Sequence, residues 1–213
     1  MCGRFTLTSE IKELQDHFKA RGPVKYHASY NIAPSLDIPV VREGNTGREI
    51  VPCHWGLVPH WSRPGSTYKA INARAETLAK KPFFRDAYRK RRCLIPANGF
   101  YEWKQENQHK QPYYFRLADA DLMGFAGLWE YWEGQDDHFE SCTIITTAAN
   151  EIMQQVHDRM PVIITPEDYE AWLEKGTESL LKPYTCNMIC HPVAMHVNNP
   201  KNDGKDLIEP IQV

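Results

Sequence analysis

The amino-acid sequence predicts an α+β fold: a mixed, mostly antiparallel sheet or barrel-like β core with helices at its margins, formed as one domain over residues 1–213. Strand-like runs dominate after Cys93, at 94–95, 100–104, 112–117, 125–132 and 139–147. Helical signals are confined to a few stretches beside such runs. The 213 residues are 42% hydrophobic and 24% charged, which is enough for a substantial core, and neither an internal repeat nor an interdomain linker interrupts them.

The elements follow in order. Residues 8–22 read as a helix, with Thr8 or Ser9 as cap, Ile11, Leu14 and Phe18 on one face, and Gly22-Pro23 as the stop. The runs 38–42 and 48–53 flank a turn at Glu43-Gly44-Asn45 and predict a hairpin. A helix carrying Phe83, Phe84 and Tyr88 leads into the basic run 89–92. Asn150 starts a short helix bearing Ile152 and Val156, and Pro161 forces the chain out of it. After a strand at 162–164, Thr165 as cap, Pro166 at the first position and Glu167 and Asp168 near the positive end predict another helix. A last strand at 188–194 precedes a polar tail from Asn198 to Asn202.

Composition narrows the function classes. No apolar run approaches the roughly 20 residues of a membrane span, and the N-terminus lacks the basic and apolar regions of a secretory leader, so a cytoplasmic protein is expected. Six cysteines lack the density of a disulfide framework. Cys186-x-x-x-Cys190-His191, with His196 beyond, has no second matching pair and reads better as partly buried strand than as a zinc site, so no metal and no cofactor are expected. The net charge of -2 is unevenly spread: residues 63–92 hold ten basic and two acidic residues, whereas 119–140 hold seven acidic residues and neither lysine nor arginine. A basic middle is the footprint of a polyanion or, for Arg89 to Arg92, a solvated helix face.

The N-terminus Met1-Cys2-Gly3-Arg4-Phe5 carries the sharpest chemistry. Cys2 is small enough for Met1 to be removed, which would leave an α-amine beside a thiol with reference pKa values of about 7.7–8.0 and about 8.5. Such a 1,2-aminothiol takes an aldehyde as a Schiff base and closes on it through sulfur to a thiazolidine, an intramolecular step favoured by proximity. A thiol that only attacks amides, or a cysteine there by accident, fits the same five residues.

Four other stretches hold candidate groups. Trp55-Gly56-Leu57-Val58-Pro59-His60-Trp61 is either a packed corner or an aromatic platform for bases. Asn72 and Arg74 could hold a phosphate or orient a reacting group, or form a capped turn. Glu102, set between Tyr101 and Trp103, is either a proton-transfer group or an exposed strand carboxylate. His157 falls between a helix end and a strand start, a common place for functional side chains.

Six blocks in order through most of the chain, Met1 to Phe5, Tyr30 to Pro34, Trp55 to Pro59, Ile71 to Glu76, Gly99 to Trp103 and His157 to Pro161, resemble the SOS response-associated peptidase (SRAP) family of abasic-site processing proteins. The resemblance implies a protein that recognises abasic sites in single-stranded DNA and joins them covalently to Cys2. On that footing Cys2 is the nucleophile, Glu102 and His157 move protons, and Asn72 orients Cys2 and the sugar. Arg4, Arg74 and Arg159 would take phosphates, and Trp55, Trp61 and Trp103 would stack bases or shape the groove. The resemblance also implies self-cleavage after Met1, and Schiff-base formation makes weak lyase activity an expectation; single-stranded DNA is the expected partner, with the replication machinery as a second one and a monomeric state. Two other classes compete. An N-terminal-nucleophile amidotransferase also begins Met-Cys-Gly, but the basic middle and the other five blocks argue against it. A plain DNA-binding module leaves Cys2, Glu102 and His157 without a task.

Overall fold

The computed structural model describes residues 2–22, 25–63, 69–106, 109–134 and 137–212, so Met1 and the predicted helix stop at Pro23 lie outside the described residues. The strands are β1 (Phe5–Leu7), β2 (Ser29–Ile32), β3 (Asp37–Gly44), β4 (Gly47–Trp55), β5 (Asn72–Arg74), β6 (Arg92–Ala97), β7 (Gly99–Glu106), β8 (His109–Leu117), β9 (Met123–Glu133), β10 (His138–Ala148), β11 (Arg159–Pro161), β12 (Ile163–Ile164) and β13 (Met188–Pro192). The α-helices are α1 (Ile11–Phe18), α2 (Pro82–Lys90) and α3 (Glu151–Gln154). This is the α+β architecture expected from the sequence.

Five strands close on themselves. Strand β10 pairs with β4, β4 with β3, β3 with β6, β6 with β9, and β9 returns to β10, giving a barrel-like core. All of these pairings are antiparallel except β10 with β4, and β5 also runs parallel to β10. A second sheet, in the order β13-β8-β7-β1-β2, packs alongside. Phe5 links the two, its ring edge-on to Trp55 at 5.2 Å and to Phe125 at 6.0 Å between centroids. Edge-to-face pairs of this kind add about 0.5–1.5 kcal/mol to the burial of the rings. Gly99, opposite Thr6, leaves room for β8: a side chain there would collide with the Tyr114 hydroxyl and the Phe115 carbonyl.

Two helices depart from the sequence reading, for local reasons. The first begins at Ile11 rather than residue 8, because the expected caps are used elsewhere: Thr8 N–H donates to Asn98 Oδ1 at 2.6 Å, and Ser9 Oγ accepts from Asn98 Nδ2 at 3.0 Å. It ends at Lys19, in the left-handed region with φ 51°, not at Gly22. The helix expected after Thr165 is a 3-10 turn, Pro166–Asp168, followed by a π-type segment, Ala171–Lys175, which buries Trp172 and Leu173. The final strand stops at Pro192 rather than 194, and Val193 N–H donates to the Pro112 carbonyl.

A second, smaller apolar cluster forms where the C-terminal segment crosses the outer sheet, built from Tyr101, Tyr114, Val193, Val197 and Leu207. It fastens the polar tail against β7 and β8, and so against the site described next. Among the described residues no helix is long and apolar enough to cross a membrane.

Candidate active site

The site grows from the β1–β7 ladder. Phe5 pairs with Phe100 and Thr6 with Gly99, and Tyr101 N–H donates to the Arg4 carbonyl at 3.0 Å. Continuing that register brings Gly3 abreast of Glu102, and residue 2 beyond it. Cys2 is wholly buried, and Glu102 nearly so at 3% exposure. Burial and the neighbouring Glu102 carboxylate hold the Cys2 thiol well above its ordinary pKa, only partly opposed by the Arg4 amide. The thiol is therefore neutral at physiological pH, a reservoir of one proton beside a carboxylate.

Asn72 reaches this point from another layer. As the first residue of β5, it is set by pairing with Ile144 on β10, and its Nδ2 donates to the Cys2 carbonyl at 2.8 Å. Its Oδ1 is buried with no partner among the described residues. The strand is steadied by Trp55, whose indole N–H donates to the Ile71 carbonyl at 3.0 Å.

His157 arrives from the end of α3, just ahead of β11. Its Nδ1 lies between two neighbours of opposite need, the Arg159 N–H at 3.0 Å and Asp158 Oδ1 at 2.9 Å. An Nδ1 without a proton accepts from the Arg159 N–H, and an Nδ1 carrying one donates to Asp158.

Glu102 and His157 line a cleft of about 430 Å³ together with Arg4, Trp103, Lys110 and Asn198, over the backbone of Gly3; Cys2 lies buried next to Gly3 in the chain, with Asn72 bonded to its carbonyl. Arg4 Nη1 donates to Asn31 Oδ1 at 2.7 Å and to the Val197 carbonyl at 2.8 Å, and its guanidinium lies 5.9 Å from the Trp103 ring centre. The arrangement offers a nucleophile at residue 2, a carboxylate and an imidazole for proton transfer, and a cationic wall.

With this geometry in place, known proteins bear on the chain. The sequence model of the SOS response associated peptidase (SRAP) family matches residues 1–200. The chain belongs to the SRAP family. Its relatives include the abasic site processing protein YoqW of Bacillus subtilis, 43% identical over 98% of this chain and 99% of that one. The abasic site processing protein YedK of Escherichia coli is 31% identical over 99% and 100%. The abasic site processing protein HMCES of Xenopus tropicalis is 31% identical over 88% of this chain and 67% of its own length. A solved structure of a Bacteroides thetaiotaomicron protein superposes with a TM-score of 0.89 at 25% identity, covering 99% of this chain and all of that one.

The remaining candidates of this SRAP protein are placed unevenly. Arg74 is exposed. Arg159 is gripped by Glu76, Nη1 to Oε1 at 2.6 Å and Nη2 to Oε2 at 3.0 Å, and also donates to the Thr146 carbonyl. Trp61 is 55% exposed, edge-on to Phe83 of α2 and outside the cleft lining. Trp55 corrects the expectation of a stacking surface: at zero exposure it presents no face to a base, and its work is to hold β5 and Phe5 in place. Part of the basic middle is likewise structural. Arg91 pairs with buried Glu130 at 2.8 Å, and Arg92 donates to the carbonyls of Tyr88, Arg89, Trp172 and Glu174. Sequence reasoning missed Lys110 and Asn198, which have no local motif and reach the cleft only through the β7–β8 pairing and the fold of the tail, and Glu76, a motif residue whose partner lies 83 residues away.

Proposed function

We propose that this SRAP chain captures abasic sites in single-stranded DNA covalently through Cys2, once Met1 has been removed. The observation that carries the reading is that Asn72 bonds the Cys2 carbonyl and the Glu102 carboxylate neighbours its thiol, while Glu102 and His157 line one cleft over Gly3, the next residue in the chain. The names of the relatives, abasic site processing proteins, support it independently.

Removal of Met1 turns the residue-2 amide nitrogen into an α-amine. That amine attacks the aldehyde of the ring-opened deoxyribose, and loss of water gives a Schiff base. The thiol then adds across the C=N bond: sulfur bonds to carbon, its proton leaves to a base, and nitrogen gains one. Nothing is oxidised or reduced. Glu102, beside the thiol, accepts that proton, and His157 donates to the departing hydroxyl or to nitrogen. Asn72 fixes the Cys2 carbonyl so that amine and thiol address the same carbon. Arg4, Arg74 and Arg159 neutralise flanking phosphates, with Trp61 and Trp103 beside the strand. The same Cys2, Glu102 and His157 would serve cleavage after Met1, and the Schiff base allows weak β-elimination at the 3′ phosphate.

The test is denaturing electrophoresis of the processed protein, its N-terminus checked by mass spectrometry, after mixing with single-stranded DNA carrying one abasic site. A heat-stable shifted band that vanishes on Cys2→Ala or on retention of Met1 is expected. Processed protein that binds this DNA without forming the band would overturn the reading in favour of a binding module.

A further inference from the structure

The cleft wall around Arg4 and Trp103 holds two residues, Lys110 and Asn198, to which the capture chemistry gives no role. Lys110 comes from the β7–β8 hairpin, opposite Gln105. Two other side chains of that hairpin, Lys104 and His109, lie against Glu106 at 3.5 and 3.8 Å, whereas Lys110 makes no ion pair among the described residues and lines the cleft. Asn198 comes from the C-terminal segment, which the small apolar cluster fastens down. Its Oδ1 accepts from the Trp103 indole N–H at 2.7 Å.

Arg4 connects these groups. The C-terminal segment holds it twice, directly through the Val197 carbonyl and indirectly through Asn198 and the Trp103 ring beneath its guanidinium. Asn31, 3% exposed, locks the segment by donating to the carbonyls of Asn199 and Asn202 at 3.0 and 2.7 Å while accepting from Arg4. The Arg4 Nε is buried without a partner among the described residues. A guanidinium whose Nε has no partner among the described residues, a second cation in the same lining, and a volume larger than a five-carbon sugar requires are the makings of an anion site next to the sugar.

We propose that this wall is a phosphate subsite for a nucleotide flanking the abasic sugar, in which Lys110 contacts the phosphate and Asn198, through Trp103, positions Arg4 for the same contact. Lys110 is thus a binding residue and Asn198 a positioning residue. The proposal rests on the reading of the cleft as the place where abasic DNA is captured.

The experiment measures crosslinking rate against concentration of single-stranded DNA with one abasic site, alongside salt-dependent binding of undamaged single-stranded DNA. For Lys110→Met the half-saturating DNA concentration should rise about fivefold, with the maximal rate changed less than twofold. The slope of log affinity against log salt should shrink by about 0.7, the loss of one single-strand phosphate contact. The deficit should disappear with free 2-deoxyribose, which carries no phosphate. Asn198→Ala breaks the hydrogen bond from one end and should raise the half-saturating concentration about threefold; Trp103→Phe breaks it from the other and also alters the ring under Arg4, so it should raise it at least as much, and the double variant no further than Trp103→Phe alone. If Asn198→Ala does not fold, Trp103→Phe reads the same bond. An unchanged salt slope for Lys110→Met, or a deficit that persists with 2-deoxyribose, would overturn the subsite. Parent protein that binds DNA without crosslinking overturns the capture reading instead, and the salt slope still decides the subsite.

Discussion

Asn72 donates its side-chain amide to the Cys2 carbonyl at 2.8 Å, tying the start of the chain to a strand 70 residues away. The bond fixes the orientation of the residue whose amine and thiol must reach one carbon. A hydrogen bond of this kind contributes about 1 kcal/mol, so Asn72→Ala should slow single-turnover crosslinking about fivefold. Asn72→Asp should slow it more, because a carboxylate would face the carbonyl oxygen it replaces a donor for. Crosslinking by Asn72→Ala at the parent rate would remove Asn72 from the mechanism.

The buried thiols set an alkaline limit. Burial pushes Cys53 up to about 12, and Cys2, Cys93 and Cys142 are raised as well, each chiefly by burial. In the unfolded chain a thiol ionises near pH 8.5, so above that value the unfolded state holds fewer protons than the folded one. Stability is therefore fully present below about pH 8.5 and falls as pH rises toward the folded values, by about 1.4 kcal/mol per pH unit for each such thiol. Urea unfolding at pH 8, 9 and 10 should show the decline. Cys53→Ala should flatten it by one thiol's share, and equal slopes for parent and variant would contradict the assignment.

What the sequence disclosed and what it withheld divide along a physical line. Glycine, proline and aromatic punctuation marked the strands after Cys93, and of the residues singled out by block, Glu102 and His157 line one cleft while Asn72 bonds the Cys2 carbonyl. Local signals failed where a distant residue competed for the same group. Thr8 and Ser9 carry good capping chemistry, but Asn98, about 90 positions away, bonds both hydroxyls. Trp55 and Trp61 read alike in sequence, and only the barrel's closure decides that one is covered and the other exposed. Asn198 sits in a polar tail with no periodicity at all; Asn31 and Trp103 give it a place.

The Arg159–Glu76 pair predicts a gain from removing charge. Both guanidinium nitrogens that face Glu76 are engaged by it, so in the free protein this arginine is already neutralised. Hydrogen bonding to Arg159 holds the Glu76 carboxyl below its usual range. The pair thus persists above the unfolded carboxyl value and is lost only as pH falls through the lower folded one, though solvent screening leaves little of it as stability. Glu76→Gln should tighten single-stranded DNA binding about threefold at low salt, and Arg159→Ala should weaken it. In the double variant the gain should vanish. A Glu76→Gln protein that binds no tighter than its parent would place Arg159 outside the DNA path.

The two tryptophans separate support from contact. Trp55→Phe removes buried volume and the bond to Ile71, although that carbonyl keeps the Ile144 N–H as a second donor. A loss of about 2 kcal/mol follows, or roughly 4–8 °C in melting temperature for a chain of this size. Crosslinking should slow as well, because β5 carries Asn72. Among the described residues the ring partner of Trp61 is half-buried Phe83, so Trp61→Ala should leave the melting temperature nearly unchanged. A base stacked on an exposed ring contributes about 1–3 kcal/mol, so its DNA affinity should fall about tenfold. Paired thermal melts and binding titrations distinguish the two. If Trp55→Phe weakened DNA binding with its melting temperature intact, the buried placement of that ring would be the wrong explanation of its role.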